Sequence, residues 1–428
     1  LGCHQGKIDP ITHSHHDVSR PGGKCVNCHM PLTTYMQRHP RRDHGFTIPD
    51  PSLTRDYDIP NACNRCHEDK KTDWAIEWTE RWYGERMNRH TQRRARALAE
   101  ARRGKEGADV RLVALLSTEG SAFWRSAALG LSAPWLGRNP DLQRALFDSL
   151  GDEAPLLRAT AARMTDSLLA DPGLPQQVRS PFETQVSKLL TDPVRSVRID
   201  AAWTLRRTLS PDSDAGRDLK SYLLYNSDQP TGAMQMGTYH LDGRNAGGID
   251  EAIKWMRKAV DWDPNTPLFH QSLAMAYSTK GEQAEAVKSM ERAHKLEPQE
   301  VMYAYNLALG LSAMERFEEA EEALGLTVEL DPEFTRAWYN LALVRNRLGK
   351  SQEAVDTLLK VTELEPGNVT YITTRATILR DMKRYEEALI AVRQAEGLTP
   401  GAPLLLQLRS SLLKAIRLRS ARPTERSP

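Results

Sequence analysis

The chain has 428 residues, with 58 basic and 56 acidic side chains and a formal net charge of +2. That balance gives no argument for binding nucleic acid or an anionic membrane surface. No stretch approaches 18 uninterrupted apolar residues, which argues against a membrane-spanning helix. Apolar residues make up 40% of the chain, so it can bury a core, and its length predicts two to four domains.

The segment 1–67 holds all five cysteines and eight of the twelve histidines. The chain opens Leu1-Gly2-Cys3-His4, without Met or a signal peptide, which is typical of a mature or trimmed chain. Because Cys and His are concentrated together, residues 1–84 are predicted to form a metal or cofactor module.

Two segments of this module, 25–29 and 63–67, read C-x-x-C-H, the spacing that suits attachment of a c-type haem. In such sites the two thiols bond the porphyrin vinyl groups, and the adjacent His is the proximal iron ligand. Residues 1–4 fit the last four positions of a third motif, whose first Cys would lie upstream of Leu1. Three haem c groups are therefore expected, attached through Cys3, Cys25, Cys28, Cys63 and Cys66. Their proximal ligands would be His4, His29 and His67.

Other uses of the cysteines fit less well. In a zinc site built from the two C-x-x-C pairs, the long segment 29–62 would separate the pairs, and His29 and His67 would be unexplained. A disulfide scaffold leaves one Cys over. A thioredoxin-like redox pair lacks any βαβ context.

Five further histidines suffice for three distal ligands, so bis-His coordination throughout is expected. They are His13, His15, His16, His39 and His44. Three residues separate His13 from His16, so they could share a helix face. Met30 and Met36 are alternative ligands, and apolar contact with a porphyrin is the competing interpretation of both. The basic side chains that could pair with haem propionates are Lys24, Arg38, Arg41 and Arg42.

Residues 85–108 are predicted to form a helical linker, and residues 109–225 an irregular helical repeat. Three acid–Arg pairs in the repeat share an offset of six residues: Glu119 with Arg125, Asp152 with Arg158, and Asp192 with Arg198. This part resembles HEAT repeats, and an ordinary helical bundle is the competing interpretation.

Residues 231–400 carry a stronger and strictly periodic repeat. Its prolines are evenly spaced at Pro264, Pro298, Pro332, Pro366 and Pro400, and an alanine recurs twelve residues before each one. Small residues at fixed points let paired helices approach closely, and the proline ends the second helix. The pattern resembles the tetratricopeptide repeat (TPR), in five units. The first unit departs through a Gly-rich turn, and the last has Arg375 where other units have Leu. Residues 401–428 are expected to be a capping helix and a disordered tail.

As a whole, the chain resembles multihaem c-type cytochromes in which a haem module precedes HEAT and tetratricopeptide repeats. The matching segments include His13 to His16, Cys25 to Pro31, Pro60 to Cys63, and Trp82-Tyr83-Gly84. The module is also similar, more loosely, to the tetrahaem cytochrome that accepts electrons from hydroxylamine oxidoreductase. The resemblance implies electron transfer in the periplasm or outside the cell, and further C-x-x-C-H motifs upstream. His16 and His44 match the family's His positions best and His13 next, whereas His39 replaces an acidic residue.

The expected fold is therefore all-α: a loop-rich multihaem module followed by a HEAT-like and then TPR solenoid. The expected function is electron transfer through closely packed haems, with the repeats docking redox partners or other copies of the chain. Two alternatives stay open. One is a multihaem reductase with an open-coordinate iron, and the other is a repeat scaffold whose haems are structural. An electron carrier fits the histidine surplus better than an enzyme does.

Overall fold

The structure is a computed structural model that describes residues 10–35, 39–242 and 248–420. It is all-helical, as the sequence predicts, apart from one two-stranded hairpin within the described residues. The chain divides into two compact units, Leu1–Leu205 and Arg206–Pro428. Cys3, His4, Met36, Arg38 and most of the predicted Gly-rich turn lie outside the described residues, as does the expected tail from residue 421.

The first unit begins with short elements separated by loops. They are α1 (Pro10–Ser14), α2 (Cys25–His29), β1 (Leu32–Tyr35), β2 (His39–Arg42), α3 (Pro51–Tyr57) and α4 (Thr72–Tyr83). The strands pair antiparallel, with Leu32 opposite Arg42. Helix α3 starts at a proline, and the Asp50 side chain accepts a hydrogen bond from the Ser52 N–H, so both residues favour a helix start there.

The rest of the first unit is built from longer helices. They are α5 (His90–Arg102), α6 (Ala108–Thr118), α7 (Ala122–Gly130), α8 (Ala133–Leu136), α9 (Pro140–Ser149), α10 (Pro155–Leu169), α11 (Gln176–Lys188) and α12 (Arg195–Thr204). A buried hydrogen bond, 2.6 Å from the Tyr57 hydroxyl to Glu100 Oε1, ties α3 to α5. The motif-bearing segment is therefore anchored to the helices that follow it.

Ion pairs link successive helix pairs of this unit. Arg94 binds Glu119 at 3.0 Å, Arg125 binds Asp152 at 2.7 Å, and Arg158 binds Asp192 at 2.8 Å. Each Arg thus reaches the acid of the next pair. Arg158 and Arg198 also donate to the backbone carbonyls of Asp152 and Asp192, six residues earlier, both at 2.8 Å. Arg158 therefore makes two kinds of contact. One is with a backbone carbonyl six residues earlier, and the other is with the carboxylate of the next helix pair.

The second unit is a run of antiparallel helix pairs. Its helices are α13 (Asp214–Tyr225), α14 (Pro230–Asp242), α15 (Gly248–Trp262), α16 (Pro267–Lys280), α17 (Gln283–Leu296), α18 (Val301–Ala313), α19 (Phe317–Leu330), α20 (Thr335–Arg347), α21 (Ser351–Leu364), α22 (Val369–Asp381), α23 (Tyr385–Leu398) and α24 (Pro403–Ser420). In all five pairs from α14 to α23, the second helix ends two residues before the repeat proline. Proline lacks the N–H that would continue the helix, so the sequence period sets the helix length.

The recurring alanines lie where the paired helices touch. Ala320, Ala354 and Ala388 are fully buried, as are Ala308, Ala342 and Ala376 at the second small-residue position. In the first pair, Gly237 provides a further close approach, because a Cβ there would lie 2.6 Å from Met256 Cγ on α15. Small side chains bring the helix axes close enough for the neighbouring Leu and Met side chains to fill the interface.

Arg375 is the polar exception in this core. It occupies the register position of Leu273, Leu307 and Leu341 and is 9% exposed. Its guanidinium donates to Gln394 Oε1 at 3.2 Å and to Thr362 Oγ1 at 3.5 Å, and burial lowers its pKa. Both of these partners are neutral, so neither of them supplies a counter-ion for the buried charge of Arg375.

Candidate functional site

The first C-x-x-C-H segment forms the short helix α2, which places its thiols and His29 on one helical turn. Arg42, on β2, holds this turn: its guanidinium donates to the carbonyls of Val26 at 2.9 Å and Met30 at 3.0 Å. It also donates to the Asn27 side chain at 2.8 Å. The sequence offers Arg42 as one of four basic residues that could pair with haem propionates, and in the structure its guanidinium fixes the backbone of the first motif.

The His29 ring has a defined orientation. Its Nδ1 lies 2.9 Å from the carbonyl oxygen of Thr47. A carbonyl only accepts hydrogen bonds, so Nδ1 carries the proton and Nε2 keeps a free lone pair. Metal-bound histidines characteristically donate their second ring nitrogen in this way. The contact therefore fixes the tautomer of His29 and leaves Nε2 as the ring nitrogen with the lone pair.

The second motif closes a helical turn of its own. The N–H groups of Cys66 and His67 donate to the carbonyl of Cys63, at 3.2 Å and 3.0 Å. Asn61 is buried and accepts from the Asn64 N–H at 3.0 Å, which fixes the start of the turn. Both motifs therefore present their thiols and their His from one turn of helical backbone.

The thiols of the two motifs lie close enough to influence one another. Burial raises the pKa of Cys28, and the neighbouring Cys66 and Cys25 add to the rise. Burial, with Cys28 as the main neighbouring thiol, raises the pKa of Cys63 to about 11. Thiols with raised pKa stay protonated at neutral pH, so neither is a ready thiolate.

The predicted distal histidines lie in different surroundings. The ring centroids of His13 and His29 are 6.0 Å apart with planes 14° from parallel, and those of His16 and His67 are 6.1 Å apart. His44 lies in the turn after β2. Burial, and then the charge of His29, lower the pKa of His13.

The expectation that His13 and His16 share a helix face is wrong. Helix α1 ends at Ser14, and His15 adopts a left-handed backbone with φ of +53°. The chain therefore turns between the two histidines. The left-handed region is uncommon for a non-glycine residue, although His is among the residues enriched there.

Three tryptophans on α4 border the histidines. Trp74, Trp78 and Trp82 recur every four residues and share one helix face. Trp74 contacts His67 at a centroid distance of 4.8 Å, and Trp82 stacks on His15 at 4.3 Å. The Trp period of four was a signal that could have found this face from sequence.

Within the described residues, no three His, Cys, Asp or Glu side chains converge as a metal-binding group. A bis-His haem iron takes only two protein ligands, so a pair of histidines suffices for such a site. In the same part of the chain, no helix is both long and apolar enough to cross a membrane.

Comparison with known proteins concerns the second unit. Models of the tetratricopeptide repeat match residues 245–266, 269–300 and 305–369. The chain contains tetratricopeptide repeats. The prediction from the evenly spaced prolines is therefore confirmed. Repeats of this class expose extended surfaces that bind other proteins.

Solved structures with similar folds cover less than half of this chain. MamA from Desulfovibrio magneticus RS-1 (residues 41 to end) is 18% identical over 41% of this chain and 98% of its own, with a TM-score of 0.38. YrrB, described as a TPR protein with an unusual peptide-binding site, is 19% identical over 45% and 97%, with a TM-score of 0.39. No curated protein matches the sequence significantly.

Proposed function

We propose that this protein is a multihaem c-type cytochrome that transfers electrons and docks partners through its helical repeats. Two haems would be attached at Cys25/Cys28 and Cys63/Cys66, with His29 and His67 as proximal ligands. A third would be attached through Cys3, with His4 as its ligand. Bound haem supplies one-electron exchange at its iron.

The observation that carries the proposal is the orientation of His29. Its Nδ1–H donates to the Thr47 carbonyl, so Nε2 is left as the ligating atom beside two thiols of the same turn. A structural zinc site would need four converging ligands, whereas the described histidines lie in pairs, His13 near His29 and His16 near His67.

The protonated thiols agree with covalent attachment. In a c-type site the cysteines become thioethers and carry no charge, so burial costs them little. Each described motif holds two thiols and a histidine on one turn, the set that covalent attachment of haem c requires.

The middle helices support the HEAT-like interpretation. An acid and an Arg six residues apart recur three times, and each described cross-pair contact joins one helix pair to the next. Such ion pairs between successive helix pairs would stack the helices of the first unit into a solenoid. We propose that the helical repeats dock a redox partner or another copy of this chain.

Haem attachment is tested by denaturing mass spectrometry of the full chain, produced in a host that matures c-type cytochromes in its periplasm. The chain should carry at least two haems that survive denaturation. Cys25→Ala/Cys28→Ala should remove one, and Cys63→Ala/Cys66→Ala another. His90→Ala, which changes a histidine outside the motifs, should remove none. A haem-free mass, or a chain that contains zinc, would falsify the proposal.

Location and mode of action have separate tests. We propose a periplasmic or extracellular location, so haem loading should fail in cytoplasmic expression without maturation machinery. A wholly low-spin ferric spectrum supports an electron carrier, and a high-spin haem supports a reductase with an open iron. Light scattering and negative-stain images of the haem-loaded chain distinguish a polymer from a monomer that docks another protein.

A further inference from the structure

We propose that Trp82 and Tyr83 hold the His13–His16 turn so that its outer histidines serve different haems. His13 would bind the iron opposite His29, and His16 the iron opposite His67. The inference rests on the proposed haem function and adds the pairing of ligands, together with two positioning residues that hold it.

The separation of His13 and His29 fits two ligands of one metal. Metal–imidazole nitrogen distances of about 2 Å on each side place the two ring centroids roughly 6 Å apart. The observed separation is 6.0 Å, with ring planes 14° from parallel. The Tyr83 hydroxyl donates to the carbonyl of His13, which ties this residue to the end of α4.

His16 and His67 lie at a similar separation, with centroids 6.1 Å apart and ring planes tilted by 42°. The Nδ1 of His16 donates to the carbonyl of Ser14, so Nε2 keeps its lone pair, as in His29. Gly22 supports the ring from one side, because a Cβ at this position would lie 2.4 Å from His16 Cδ2. Only glycine allows that approach without displacing the ring.

His15 explains how two neighbouring histidines diverge. Its ring stacks on Trp82, with centroids 4.3 Å apart and planes 14° from parallel. This contact holds the His15 side chain against helix α4. Its left-handed backbone reverses the chain between His13 and His16. Trp82 therefore keeps His15 from serving as an iron ligand and holds the His13–His16 turn in place.

The pairing is tested by crossing ligand variants with attachment variants in the full chain. His13→Ala should turn one haem from low-spin to high-spin in the wild-type background. It should have no such effect in Cys25→Ala/Cys28→Ala, where its haem is absent, but should keep the effect in Cys63→Ala/Cys66→Ala. His16→Ala should show the opposite dependence. His15→Phe is the matched control: it keeps a ring to stack on Trp82 but has no ligating nitrogen, and it should leave every haem low-spin.

The positioning role is tested on the same signal. Trp82→Ala should raise the high-spin fraction without loss of covalent haem, and Trp82→Phe should restore the low-spin signal, because a stacking ring returns. On the unmodified protein, diethylpyrocarbonate should label His15 and leave His13 and His16 protected until the protein is denatured.

The outcomes separate the two proposals. Absence of covalent haem from every variant would overturn the proposed function. Covalent haem with the opposite dependence on the attachment variants, a high-spin haem in His15→Phe, or labelling of His13 and His16 would overturn the pairing alone. A Trp82→Ala protein with wholly low-spin haems would overturn the positioning role.

Discussion

Removal of Asp192 should destabilise the middle of the first unit far more than removal of an ordinary surface acid. Its carboxylate accepts two hydrogen bonds from Arg158, at 2.8 Å and 3.1 Å, and the side chains are 6% and 14% exposed. The same carboxylate accepts from the Val194 N–H at 2.8 Å, at the start of α12. Asp192→Ala therefore leaves a buried guanidinium without its counter-ion and one helix start without its acceptor.

The expected loss is about 3–5 kcal/mol, because one partner of a buried pair is removed and the other stays buried. The matched control is Asp141→Ala. Asp141 pairs with Arg144 at 3.5 Å, with side chains 66% and 74% exposed, and such pairs contribute about 0–1 kcal/mol.

The measurement is urea unfolding combined with hydrogen exchange of peptides from α10 and α12. Asp192→Ala should lower the unfolding midpoint and deprotect both helices, and Asp141→Ala should change neither appreciably. Equal effects of the two variants, or a loss of unfolding free energy below about 1 kcal/mol for Asp192→Ala, would refute the argument that the Arg158–Asp192 ion pair stabilises this unit.

The pair also has a defined pH dependence. Burial alone would raise the pKa of Asp192, but the hydrogen bonds from Arg158 and Val194 and the charges of Arg158 and Arg198 outweigh it and lower the pKa. A lowered pKa in the folded state means that the stabilisation is present above the carboxyl's ordinary pKa and is lost as the pH falls below it.

Three further outcomes follow from buried groups and close contacts. Burial raises the pKa of Asp200 to about 6, despite Arg163, so its contribution to stability is full below about pH 4 and is lost as the pH rises through about 6. Asp200→Asn should flatten the stability profile between those values, and an unchanged profile would contradict this. Arg375→Leu should raise the thermal stability of the second unit by about 1–3 kcal/mol, because it replaces a buried charge with the side chain of the other repeats; a lower melting temperature would count against it. Gly237→Ala should destabilise by about 1–3 kcal/mol through the clash on α15, whereas Gly325→Ala, in open space on α19, should be neutral or stabilising; equal effects would show that the close approach is unimportant.

The repeat architecture could be predicted from sequence because it depends on local and periodic signals. A proline at the end of each repeat stops a helix whatever surrounds it, and small residues at fixed offsets specify where paired helices touch. The C-x-x-C-H spacing likewise specifies a helical turn with two thiols and a histidine. The haems, their ligands and the extracytoplasmic location stay predictions that the proposed experiments test.

Only the tertiary structure decided which side chains meet. The sequence showed that Arg158 follows Asp152 by six residues, yet its carboxylate partner is Asp192, which belongs to the next helix pair. Spacing placed His13 and His16 on one helix face, whereas the end of α1 and the left-handed His15 send them to different partners. Contacts between distant segments depend on how helices and turns pack, and a residue's spacing within one element carries no information about them. The sequence by itself therefore determined the tetratricopeptide repeat, whereas packing decided which side chains become partners.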